Sequence, residues 1–139
     1  MKHVLVGIDG SAASHKAARM AAEIAGKFGA RLTLAYVVPR LLLPPDAYGL
    51  TVAEVEAEHR AHADEVLAAA ASALGPGAAP SRLVLFGSPA DALVEAAQAE
   101  QADLVVVGSR GHGAVSRVLL GSTSGRVVHV STGPVLVVH

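Results

Sequence analysis

A chain of 139 residues is long enough for one domain with a sizeable core, and the absence of cysteine excludes disulfide staples and thiolate metal sites, so a cytoplasmic protein is the expectation. Hydrophobic residues reach 52%, but much of this is alanine, no apolar run approaches the ~18 residues of a spanning helix, and the run in "MKHVLVGIDG" is too short for a signal-peptide core. A soluble chain is therefore expected, and a net charge of −1 with two Phe and two Tyr offers neither the basic footprint nor the stacking platforms of a nucleic-acid binder.

The first β-branched run, "HVLVGI" (3–8), reads as a strand. Ala13, Ala17, Met20, Ala21, Ile24 and Phe28 then recur at helical spacing up to Gly29. A second strand is predicted over "RLTLAYVV" (31–38), followed by the one long loop, "LLLPPDAYGL" (41–50). The next helix starts at Thr51, with Glu54 three residues on as in a capping box, and runs to about Leu74 before "GPGAAP". After a third strand, "RLVLF" (82–86), Ser88 and Asp91 stand in the same relation at the head of a helix ending near Gln101. A fourth strand, "DLVVVG" (103–108), a helix from Gly121 or Ser122 to before Gly133-Pro134, and a fifth strand, "PVLVV" (134–138), complete the series. Gly125 and the β-branched "RVVHVS" oppose that last helix, so tertiary contacts must decide it. The alternation of short strands with helices predicts an α/β fold around a parallel sheet, in a single domain spanning 1–139.

In such a sheet a ligand cleft opens at the carboxyl ends of the strands, where strand order reverses. The turns there read "GIDGS", "VVPR", "FGSP" and "GSRGHG". Gly7-Ile8-Asp9-Gly10-Ser11 lacks the G-x-G-x-x-G of a dinucleotide fold, and the lysines, Lys2, Lys16 and Lys27, cannot complete a G-x-x-x-x-G-K-[ST] phosphate loop. A phospho-accepting receiver would need an acidic cluster, an aspartate ending strand three and a lysine near strand five, which are missing. Gly108, Gly111 and Gly113 do suit an anion-binding concavity, and a helix starting at Gly121 would aim its N–H groups, with the hydroxyls of Ser122, Thr123 and Ser124, at the same anion. The glycines alone fit an ordinary loop and serine N-cap equally well.

The spacing Gly108-x-x-Gly111, nine residues, Gly121-Ser122 resembles the G-x-x-G-x9-G-[ST] pattern of the ATP-binding branch of the universal stress protein family. "VLVGIDGS", "GSPADALVEAAQAEQADLVVVGSRGHG" and "GPVLVVH" extend the resemblance over the whole chain. It implies a five-stranded parallel sheet in the order 3-2-1-4-5 with helices on both faces. It further implies that Gly7, Ile8 and Asp9 lie beside ribose, phosphates and any Mg²⁺ or Mn²⁺, with Asp9 the metal contact, and that the backbone of Val37 meets adenine. Gly108, Arg110, Gly111, His112 and Gly113 match the family's phosphate loop, and Gly121, Ser122, Thr123 and Ser124 its helix start.

Competing readings stand beside these. Asp9 could cap the first helix as readily as Ser11, and Arg110 and Arg117 are the nearest loop cations to the anion. His59 and His62 share a helical stripe with Val55 and Val66 but lack a third ligand, so a rim position is expected; Asp103, at the opposite end of the sheet, reads as a turn residue. With no lysine or general base in the cleft, the expectation is an ATP-binding regulatory module of stress physiology with slow or absent hydrolysis. The alternatives are a nucleotide-independent dimeric interaction protein and a small hydrolase of a phosphorylated metabolite. The fifth strand is an apolar sheet edge, and the resemblance implies a homodimer through Pro134 to Val138.

Overall fold

The computed structural model describes residues 1–40, 49, 51–110 and 120–139. In chain order it holds β1 (His3–Gly7), α1 (Ala12–Phe28), β2 (Arg31–Val38), α2 (Val52–Ala73), β3 (Ser81–Phe86), α3 (Pro89–Ala99), β4 (Leu104–Gly108), α4 (Ser122–Val130) and β5 (Val135–Val138). The strands are all parallel, in the order β3-β2-β1-β4-β5. Period-two alternation along them feeds two cores. Val4, Val6, Leu34 and Val106 face α1 and α2, whereas Leu5, Ala35, Val105 and Val107 face α3 and α4. Among the described residues no helix is long and apolar enough to cross a membrane.

α1 departs from its expected stripe. Its buried line is Ser14, Ala17, Ala18, Ala21 and Ala25, while Met20 and Phe28 are 40% and 61% exposed. The cause is close approach: a Cβ added to Gly108 would lie 2.7 Å from the carbonyl carbon of Ala13. With the helix backbone that near the sheet, small side chains fill the gap and large ones are displaced to the rim. Gly29, at φ 63°, ends the helix in the left-handed conformation, and the Ala30 N–H donates to the Ala25 carbonyl at 2.8 Å.

The capping box of α2 forms as its spacing predicts. The Thr51 N–H donates to Glu54 Oε2 at 2.7 Å and the Glu54 N–H to Thr51 Oγ1 at 3.2 Å, and the first of these holds the Glu54 carboxyl below its ordinary pKa. The matching expectation for α3 fails. Ser88 is the N-cap but makes no side-chain cap bond, and the Asp91 carboxylate pairs with Arg126 on α4 instead of reaching back to Ser88. α4 itself forms despite Gly125, whose N–H reaches the Gly121 carbonyl at 2.9 Å, and Val127 on its inner face is fully buried.

At the amino ends of the strands His3 is 2% exposed. Its Nε2 lies 2.8 Å from Thr33 Oγ1, and its Nδ1 lies 3.0 Å from both the Glu100 carbonyl and Arg31 Nη2. Asp103 is a turn residue with a defined task. Its Oδ2 accepts the N–H groups of Lys2 at 2.6 Å and His3 at 2.9 Å, which together hold its carboxyl below the ordinary value.

Candidate functional site

β1 is flanked by β2 and β4, and the chain leaves the two central strands in opposite directions. After β1 it passes to α1 on one face; after β4 it returns as α4 on the other. A crevice must open between such diverging connections. It is a cavity of about 400 Å³, within the range of about 300–1,000 Å³ usual for small-molecule sites.

Its walls come from the carboxyl ends of three strands and the first turns of three helices. Gly7, Ile8 and Asp9 continue β1, Val37 belongs to β2, and Gly108 and Arg110 close β4, facing Gly121, Ser122, Thr123 and Ser124 at the start of α4. Ten residues singled out from the sequence are thus brought to one cavity. Gly111, His112 and Gly113, the loop 41–50 apart from Gly49, and Arg117 lie outside the described residues.

The two glycine-rich segments are joined by one carbonyl. Ser109 O accepts the Gly121 N–H at 2.7 Å and the Ser124 hydroxyl at 2.9 Å. Ser124 Oγ also lies 3.1 Å from the Gly121 carbonyl, and the residue is 3% exposed. Its hydroxyl is therefore taken up in holding β4 to α4, whereas Ser122 is exposed and Thr123 half-buried. A Cβ on Gly121 would stand 3.3 Å from Ser109 O and 3.4 Å from the Arg110 Cα, so a side chain there would press the two segments apart. Gly108 has a second reason to be glycine, the close passage of α1, which the loop pattern did not signal.

Gly121 gives α4 no side-chain cap, and helix geometry leaves the N–H groups of the first turn without intrahelical acceptors. The positive end of α4 thus faces the cavity, with Arg110 also in its lining. On the other side, Asp9 is exposed, and its Oδ1 accepts the Ser11 N–H at 2.8 Å. Ser11 is the N-cap of α1, its Oγ accepting the Ser14 N–H at 3.2 Å, so Asp9 braces the turn without itself capping the helix.

Sequence reasoning missed Ser14, Pro39, Pro89 and Leu93, which also line the cavity. The prolines sit in the strand-end turns "VVPR" and "FGSP", a positional signal that could have found them. Ser14 and Leu93 are buried on helices and carry no local mark. His62, outside the lining, meets the ring of the lining residue Tyr36 edge-on at 6.2 Å, and among the described residues no three His, Cys, Asp or Glu side chains converge as metal ligands.

The Universal stress protein family's sequence model matches residues 1–139. The chain belongs to the universal stress protein family. A universal stress protein of Mycolicibacterium smegmatis is 40% identical over 141 residues, covering 98% of this chain and 47% of its own, so this chain spans about half of that relative's length. One from Thermus aquaticus is 38% identical over 137 residues, covering 99% of this chain and 98% of its own. Among solved structures, a universal stress protein in complex with cAMP is 33% identical with a TM-score of 0.69, covering 99% of this chain and 96% of that one.

Proposed function

We propose that this universal stress protein binds ATP in the carboxyl-end cavity and serves as a nucleotide-responsive regulatory module in stress physiology, with slow or no hydrolysis. The observation that carries the reading is the convergence on one cavity of the Gly108–Arg110 turn and the uncapped start of α4, tied through the Ser109 carbonyl. Backbone N–H groups, a helix dipole and one arginine together favour a polyphosphate. Ile8, Val37, Pro39 and Leu93 supply an apolar wall suited to a base, and the cAMP-bound relative supports adenine as that base.

Asp9 alone cannot hold a divalent ion. Mg²⁺ commonly uses one or two carboxylates and takes its remaining ligands from phosphates and water, so Asp9 fits Mg²⁺ or Mn²⁺ only together with the nucleotide. Such an ion would neutralise phosphate charge. The ionisable side chains among the described lining residues are Asp9, Tyr36 and Arg110, a set that holds an anion better than it activates a water. Gly111, His112 and Gly113 belong to the same proposal as members of the phosphate loop.

Protein freed of nucleotide is expected to bind ATP with Mg²⁺ saturably. Failure of ATP to bind, with AMP or a flavin binding well, would overturn the reading. Turnover of many ATP molecules per minute that disappears in Asp9→Ala would favour a hydrolase instead. β5 lies at the sheet edge beside β4, with residues Val135–Val138 half-buried, and pairing there is expected to give a homodimer. A monomeric mass by light scattering at micromolar concentration would remove the dimer and leave the cavity untouched.

A further inference from the structure

α4 carries the anion-facing terminus on slender support. It has nine residues with Gly125 near its middle, no side-chain N-cap, and Ser124 and Val127 as its buried residues. An isolated helix of that length and composition does not hold its own position in water. It rests chiefly on α3 and lightly on β5. The Ser109 carbonyl pins its start to β4, and what sets its rotation and tilt beyond that anchor lies between α3 and α4.

Arg126 supplies that link. Its Nε donates to Asp91 Oδ1 at 3.2 Å, and its Nη2 donates to Oδ1 at 3.0 Å and Oδ2 at 3.2 Å. A planar guanidinium engaging a carboxylate through two nitrogens constrains direction as well as distance. In sequence Asp91 lies between Pro89 and Leu93, which line the cavity from α3, and Arg126 follows Ser124 by two residues. The pair thus bridges the first turn of α3 and the second turn of α4, behind the wall that both helices give the cavity.

We infer that Asp91 and Arg126 are a positioning pair, which orients the first turn of α4 toward a bound polyphosphate without touching it. The inference rests on the nucleotide reading above. Stability alone does not explain the pair. Its side chains are 38% and 55% exposed, and ion pairs so placed contribute little to folding. Simple electrostatics makes the opposite forecast for one variant. Asp91→Asn removes a negative charge near an anion site and releases a cation, which should tighten ATP binding if charge were all that mattered, whereas loss of orientation should weaken it.

The test compares ATP and adenosine affinities for the wild type, Asp91→Asn, Arg126→Gln and the exchanged pair Asp91→Arg with Arg126→Asp, alongside their melting temperatures. Each single variant is expected to weaken ATP binding roughly three- to ten-fold. Adenosine, which lacks the phosphates that α4 would meet, should bind as to wild type, melting temperatures should barely move, and the exchanged pair should recover ATP affinity. Unchanged or tighter ATP binding by Asp91→Asn, or equal losses for ATP and adenosine without recovery in the exchanged pair, would overturn the inference. A wild type that binds neither ligand would instead remove the nucleotide reading, and the inference with it.

Discussion

At the amino ends of the strands His3, Thr33, Arg31, Glu100 and Asp103 close onto one another through hydrogen bonds, whereas at the carboxyl ends Gly108, Arg110 and the first turn of α4 border a cavity. Parallel topology sets up this difference. Every helix that follows a strand begins at the carboxyl end of the sheet and finishes at the amino end. Unpaired N–H groups and positive dipole ends gather at the first, and unpaired carbonyls at the second. At the amino end the protein meets those carbonyls with its own donors, as where Arg31 Nη2 donates to the Glu100 carbonyl at 3.1 Å. At the carboxyl end α4 has, among the described residues, no side-chain cap, and the N–H groups of its first turn have no intrahelical acceptors.

If the amino end is structural and the carboxyl end binds, defects at the two ends should separate stability from affinity. The largest effect is expected for His3→Ala, which leaves a cavity and unpartnered polar groups in a fully enclosed place and should cost about 3 kcal/mol in urea unfolding. ATP affinity of the folded variant should remain that of wild type. A loss of affinity larger than the loss of stability would blur the distinction.

Next comes Gly108→Ala, whose methyl group would sit 2.7 Å from the Ala13 carbonyl carbon. The strand or α1 must shift, at a cost of about 1–3 kcal/mol. Because Gly108 also lines the cavity, ATP affinity should fall too, which a titration by calorimetry would show. The smallest effect belongs to Asp103→Asn at the exposed edge of the amino-end network. The N–H groups of Lys2 and His3 hold the Asp103 carboxyl below its ordinary value of 3.8, so its contribution is present above that pH and fades as the pH falls through the lower, folded value. The stability gap between wild type and variant should be widest near neutrality and narrow in acid, as denaturation at a series of pH values would reveal.

Much of the carboxyl end was legible because its signals are local. Glycine spacing, strand-end turns and the Thr51–Glu54 box act within a few residues, and the strands β1 to β5 lie within one residue of the β-branched runs. The resemblance to the universal stress protein family supplied the strand order. What escaped depends on distant partners. His3 meets Thr33 across 30 positions and Glu100 across 97, and Asp91 leaves its expected cap for a residue 35 positions away. The exposure of Met20 and Phe28 was likewise hidden, since it follows from how closely α1 approaches the sheet.

An amide-resolved NMR titration of the nucleotide-free protein with ATP and Mg²⁺ addresses both ends at once. Saturable shifts are predicted for the amides of Gly108, Arg110, Ser122 and Thr123, with His3, Thr33 and Glu100 unmoved. Shifts at the amino-end amides with none at the start of α4, or no saturable shifts at all, would contradict a nucleotide site at the carboxyl ends of the strands.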